Sequence, residues 1–295
     1  MRVLAALAAA ITLAAVPASH AADTRPAAPV SQDTGVVATP QDRVIFRQTM
    51  ARAAEERLDT LPIGEIVVRL GTGFVGAPYA AHTLQVPGPE RLVVNLRAFD
   101  CVTFVEKMLA MARAVRAGDT TFAGYTRELR RIRYRGGRID GYPSRLHYFS
   151  EWISDNAAKG VVRPLTKALG GVRDDRPIDF MSMHPGAYRQ LADRAVLDRI
   201  RAIEQRLSAT PRYTIPQARV QDVADSIRDG DIIAMTSGLP GLDVAHTGIA
   251  IRVDGVLRLL NAPLVGKAVQ ISALPLAERI RGIASQTGIM VARPL

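Results

Sequence analysis

Apolar residues recur in this chain with more than one period. After Asp100 they fall at Val102, Val105, Leu109, Ala112 and Val115, the spacing of one buried helix face. Asp100 is a good N-cap residue, so this spacing puts Cys101 at the first helical position, with acidic Glu106 in the second turn. Helices are also predicted at about Gln41–Asp59, Phe149–Ala158 and Ala187–Leu207, and Arg91–Leu96 reads as an extended run. Between residues 246 and 261 two apolar runs flank Asp254-Gly255, a two-residue hairpin signal. With that pair as the loop, Val253 faces Val256 and Asn261 faces Gly248. His246, Gly248 and Asn261 then share one face of the sheet, and His246 and Asn261 are diagonal neighbours. A register slip of one residue would part them. The expected fold class is α+β: a helix beginning at Cys101, packed on an antiparallel sheet that carries His246 and Asn261.

The first 21 residues have a different pattern. Met1-Arg2 precedes an apolar run, Val3–Val16, with no charged residue and Thr12 alone polar, and then Pro17-Ala18-Ser19-His20-Ala21. This is the order of a secretory signal, with cleavage expected after Ala21. The run is shorter than the ~20 residues of a membrane-spanning helix, and no later segment qualifies. The expectation is an exported protein, periplasmic or secreted, with no transmembrane segment. Residues 22–40, rich in Ala, Pro, Thr and Ser, predict a flexible lead. Residues 41–295 are expected to form one domain, with its largest insertion around 119–169 walling a cleft.

Composition narrows the classes. With 48% hydrophobic and 22% charged residues among 295, the chain has material for a sizeable core, which excludes a disordered chain or a disulfide-stapled miniprotein. The formal charge is +10, and only four of the 38 bases are lysines. Arg130, Arg131, Arg133 and Arg135 crowd one stretch, and no aromatic interleaving follows it. That fits an arginine-rich composition first and attraction to an anionic polymer second; nucleic acid is not expected.

Cys101 is the sole cysteine, so no internal disulfide can form. Such a thiol is either buried and inert or chemically used. A helix start favours the second reading, because its N–H groups and dipole favour a thiolate and can hold an oxyanion. Of the histidines after the signal, His184 precedes Pro185 and reads as a surface or capping residue, and His82 lies in a loop. His246 has the hairpin neighbour Asn261. Cys101, His246 and Asn261 could thus be nucleophile, base and orienter; spacing alone fits equally a sheet histidine beside an unrelated Asn. Gly71-Thr-Gly73-Phe-Val-Gly76 imitates a dinucleotide fingerprint, but Pro78 follows at once and no helix opens there. His147 and Glu151 are too few for zinc. No metal and no cofactor are expected.

Four stretches resemble the secreted bacterial N-acetylmuramoyl-L-alanine amidase-like cysteine amidases, distant relatives of the NlpC-type cell-wall peptidases with a papain-like fold. They are Phe74–Tyr79, Val94–Glu106, Tyr142–Trp152, and Gly230–Ile233 with Gly241–Gly248. The resemblance implies Cys101 as nucleophile and His246 as base. At Asn261 the family pattern more often has a histidine; Asn can hold a His tautomer but carries no charge. Tyr79, Ser144, Arg145, His147, Tyr148 and Asp243 are the expected substrate-lining residues. Arg145 could clamp a stem-peptide carboxylate, or equally anchor a loop through Asp140 or Glu151. The implied activity is hydrolysis of peptidoglycan or muropeptides at the N-acetylmuramoyl–L-Ala amide. A stem-peptide endopeptidase, an acyltransferase and a non-catalytic wall-binding module stay open.

Overall fold

The computed structural model of the chain describes residues 35–295. The expected signal (1–21) and most of the expected lead (22–40) lie outside the described residues. The end of that lead belongs to the fold. Val36–Val37 (β1) pairs in parallel with Leu92–Val93 (β2). Thr39 then starts α1 (Pro40–Glu55) through a reciprocal capping box with Asp42. Pairing with residues more than fifty positions away is what the local composition could not reveal.

Among the described residues six further α-helices longer than one turn follow: α2 (Ile63–Thr72), α3 (Cys101–Arg116), α4 (Phe122–Arg133), α5 (Phe149–Ala158), α6 (Arg194–Ala209) and α7 (Leu276–Arg281). The false dinucleotide fingerprint therefore follows a helix, with Gly71 inside its last turn. A side chain at Gly71 would collide with Leu260 and Phe104, so this glycine lets two layers approach closely.

Eight strands make one antiparallel sheet. Its spatial order is β4 (Val172–Asp174), β5 (Arg212–Pro216), β10 (Gln286–Pro294), β6 (Ile232–Ser237), β7 (Val244–Val253), β8 (Val256–Asn261) and β9 (Gln270–Ile271). β3 (Val162–Pro164) pairs with the C-terminal end of β10. The β7–β8 hairpin has the expected register, Val253 opposite Val256 and Ile249 opposite Leu260. Asp254 at its turn has φ 52°, the left-handed conformation a tight hairpin demands.

Both faces of the sheet are covered, which explains the unbroken apolar run Ile232–Met235. One face, with Ile232, Ala234, Ile249, Ile251 and Leu260, packs on α3 in the main core. The other, with Ile233, Met235, Ala250 and Leu259, packs on α7 and the 220–227 turns. The α3 helix is buried almost all round, as a helix inside a core must be. The 119–169 stretch is not a peripheral wall: Tyr125, Leu129, Ile132, Phe149 and Trp152 belong to the same core as α3. A smaller apolar cluster, built from Tyr142, Tyr148, Ile178, Met181, Ile200 and Leu207, forms beside it. Among the described residues no helix is long and apolar enough to cross a membrane.

Candidate active site

The approach to Cys101 is fixed at several points. The buried Asp42 carboxylate accepts the Leu96 N–H at 2.8 Å and Arg97 Nε at 3.2 Å. Lys107 Nζ donates to the Asn95 carbonyl at 2.6 Å. Arg133 donates to Glu106 and to the Val93 carbonyl, both at 2.7 Å, with both side chains of the ion pair buried. Phe99 N–H donates to Pro78 O, and Ala80 N–H to Phe99 O. Asp100 then caps α3, its Oδ1 accepting Thr103 N–H at 2.7 Å. Cys101 is thereby the first helical residue, as its sequence position predicts. No backbone acceptor takes the Cys101 or Val102 N–H among the described residues.

The thiol is half-buried, and its nearest polar neighbours are backbone and side-chain groups of Thr247, with the Val102 N–H. Thr247 Oγ1 is buried without another partner. Thr247 follows His246 in β7, and by strand parity its side chain is on the α3 face, whereas His246 and its partner Asn261 are on the opposite face, toward Arg279 of α7, so the structure does not bring the imidazole to the thiol. The sequence reading passed over this residue, although the same parity that pairs His246 with Asn261 assigns Thr247 to the helix side.

His246 Nε2 lies 2.8 Å from Asn261 Oδ1. Asn261 Nδ2 donates to the Leu259 and Gln270 carbonyls at 3.1 and 3.2 Å, so its amide can face only one way. Oδ1 is then an acceptor, Nε2 carries the proton, and Nδ1 is left as the basic nitrogen. Gly248, opposite Asn261, leaves the space for this pair: a Cβ there would stand 3.0 Å from the Asn261 Cβ.

The charge state of the thiol differs from the expectation of a resting thiolate. Burial, and next the adjacent Asp100 carboxylate, push the Cys101 thiol up to about 11. The helix start favours a thiolate, but the residue that caps this helix is an anion and opposes it. Burial holds His246 down at about 4, against the hydrogen bond to Asn261. At neutral pH the site rests as thiol and neutral imidazole. Burial likewise pushes the Tyr79 hydroxyl up to about 12, with Cys101 and Asp100 adding to the shift. Tyr79 is thus beside the thiol. Its N–H donates to Lys267 O, on the segment that follows the hairpin.

The other expected substrate residues are committed to internal partners. Arg145 forms a bidentate ion pair with Glu90, 2.7–3.0 Å, both side chains largely buried. The clamp is corrected to an anchor, and its carboxylate is neither of the two expected: Asp140 pairs with Arg199, and Glu151 with Arg135 and Arg206. Ser144 Oγ donates to Gly141 O and accepts Asp140 N–H, closing a turn. His147 Nε2 is 2.9 Å from Tyr142 O, and burial drives the ring down to about 3. Tyr148 donates to Glu204 and accepts Met181 N–H. Asp243, buried and raised by that burial, accepts Ser150 N–H at 2.7 Å and so caps α5 from the start of β7. Among the described residues no group of three or more His, Cys, Asp or Glu is placed to hold a metal ion.

Comparison with known proteins follows the same lines. A structure of an N-acetylmuramoyl-L-alanine amidase from Bacteroides uniformis is 38% identical, with TM-score 0.75, over 79% of this chain and 99% of that one. A Bacteroides fragilis structure that carries a provisional xylanase name is 39% identical, with TM-score 0.72, over 76% and 98%. Protein LPG0564 of Legionella pneumophila shares the fold at 18% identity, with TM-score 0.64, over 86% and 93%. A comparison with curated proteins returned no match. Residues 69–288, which hold Cys101, Tyr79 and the whole His246–Asn261 hairpin, match the AmiA-like family, and the chain belongs to this N-acetylmuramoyl-L-alanine amidase-like family.

Proposed function

We propose that this protein is a cysteine amidase that cleaves the N-acetylmuramoyl–L-Ala bond of peptidoglycan or its fragments, acting outside the cytoplasm. The observation that carries the reading is the sole thiol, seated at the open N-terminus of α3 against Thr247 of β7, within a chain of the amidase-like family; the tautomer-fixed His246–Asn261 pair is on the same strand, on its other face. The chain order Cys, His, Asn supports kinship with papain-like, NlpC-type hydrolases.

In this reading Cys101 Sγ attacks the amide carbonyl while His246 Nδ1 takes the thiol proton, a step that requires the start of β7 to turn the imidazole from the α7 face toward the thiol. The developing oxyanion is met by the Cys101 N–H at the positive end of α3. Asn261 Oδ1 accepts from Nε2–H and stabilises the imidazolium. The imidazolium then protonates the leaving amine, the C–N bond breaks, and a thioester remains. Water deprotonated by His246 adds to the thioester and releases the lactyl carboxylate and the thiol. A neutral resting pair suits this sequence, because the base is unprotonated at every pH well above 4. Hydrolysis of a xylan instead needs two carboxyls flanking the bond. Beside this thiol the adjacent carboxylate, Asp100, is engaged as a helix cap.

Mass spectrometry of muropeptide digests tests the proposal. Free disaccharide with intact stem peptide is expected, and none with Cys101→Ala. A cut stem would assign an endopeptidase; binding without any product would assign a wall-binding module.

A further inference from the structure

The arginines crowded at 130–135 part company in the structure. Arg133 is buried on Glu106, Arg135 pairs with Glu151, and Arg131 donates to the Lys159 carbonyl. Arg130 instead lines a cavity of about 830 Å³ between α4, the β1–β2 pair and the turn at 137–139. Arg91, Arg127 and Arg138 line it too. Arg127 is paired with Asp119. Glu90, the carboxylate of the lining, is saturated by Arg145 and the Tyr134 hydroxyl. Arg91 reaches only the Pro87 carbonyl, and Arg130 and Arg138 have no side-chain partner among the described residues. Arg91, Arg130 and Arg138 therefore line one cavity with no carboxylate paired to them among the described residues.

We propose that this cavity is a second binding site, apart from the thiol, for the carboxylate-bearing peptide arm of the wall polymer. The choice of ligand rests on the amidase reading above. Guanidinium groups take carboxylates through paired N–H donors, and stem peptides carry several carboxylates along a short aliphatic chain. Val36, Leu92 and Ile139 provide an aliphatic floor for such a chain. The volume falls in the range of about 300–1,000 Å³ typical of small-ligand sites. The lining has no aromatic ring on which a nucleobase could stack. The loop between Tyr79 and Glu90 connects the thiol's surroundings to the cavity wall, so one polymer could engage both.

The test is co-sedimentation of the protein with purified sacculi, in a Cys101→Ala background so that nothing is cut. Arg130→Gln/Arg138→Gln should bind roughly tenfold more weakly and with a shallower salt dependence. Sacculi whose carboxyls have been converted to amides should lose the wild-type protein to the same degree. With Cys101 intact, the arginine variant should hydrolyse a saturating small muropeptide at the unaltered rate. Undiminished binding by the double variant would overturn the proposal, as would failure of the parent to sediment at all. Undiminished binding to amidated sacculi would overturn it in favour of phosphate groups. The readout is retention rather than hydrolysis. Arginine-dependent sedimentation, together with no product from the protein that retains Cys101, would therefore refute the amidase chemistry and leave this site standing.

Discussion

Replacing Asp100 by Asn removes a charge next to Cys101 while keeping the cap, since the Asn side-chain oxygen can still accept the Thr103 N–H. The thiol stands at about 11 against an ordinary 9.0, with burial the larger cause and the Asp100 charge the next. Two units correspond to about 100-fold less thiolate at pH 7 than an unperturbed thiol would show. Cys101 is the only cysteine, so iodoacetamide labelling followed by intact-mass spectrometry reports on it alone. Wild-type labelling should be slow at pH 6–7 and rise about tenfold per pH unit to beyond pH 9. Asp100→Asn should label roughly three- to tenfold faster at pH 7 and still more slowly than a free thiol, because burial is untouched. Fast wild-type labelling at pH 6 would refute the reasoning and require a thiolate–imidazolium pair at rest. Slower labelling in Asp100→Asn would refute the role given to the cap.

Asn261→Ala should lower kcat roughly 10- to 1000-fold with little change in KM, since it frees the imidazole tautomer without touching substrate; a wild-type kcat would assign the orienting role elsewhere. Arg145→Gln leaves Glu90 buried without its partner and should cost about 3–5 kcal/mol of stability, with a near-normal rate in the enzyme that stays folded; a kinetic loss at unchanged Tm would restore the clamp. His147 and His246 are held neutral in the fold, at about 3 and about 4, while unfolded histidine titrates near 6.5. Their contribution to stability is complete above that value and is lost as pH falls below it, by at most about 1.4 kcal/mol per pH unit for each. Urea melts at pH 7, 6 and 5 check this, and His147→Gln should reduce the slope.

The sequence was most legible where one local rule decides. The Asp254-Gly255 turn and strand parity bring His246 to Asn261, and helical spacing after a capping Asp puts Cys101 at N1. Tyr142–Tyr148 was misread for a physical reason. Distinctive polar residues in an aromatic stretch look like a ligand surface, yet Ser144, Arg145, His147 and Tyr148 all satisfy internal groups. Arg145 finds its partner 55 positions away, and no local pattern marks Glu90 for it. The thiol's ionisation was illegible too. A helix start predicts a thiolate, whereas desolvation depends on what α3 packs against, and that is set by strands more than a hundred residues downstream.

Asp42 has a practical consequence for where this chain can be cut. One carboxylate closes the start of α1, receives the Leu96 N–H and pairs with Arg97, a few residues before the thiol. The turn carrying Cys101 is therefore spliced to the beginning of the described fold. Proteolysis on the C-terminal side of residue 42, or an N-terminal deletion reaching it, would leave Cys101 covalently intact but remove the carboxylate that holds the approach to it. Fusion partners and deletions are best confined to positions before Val36, where β1 begins.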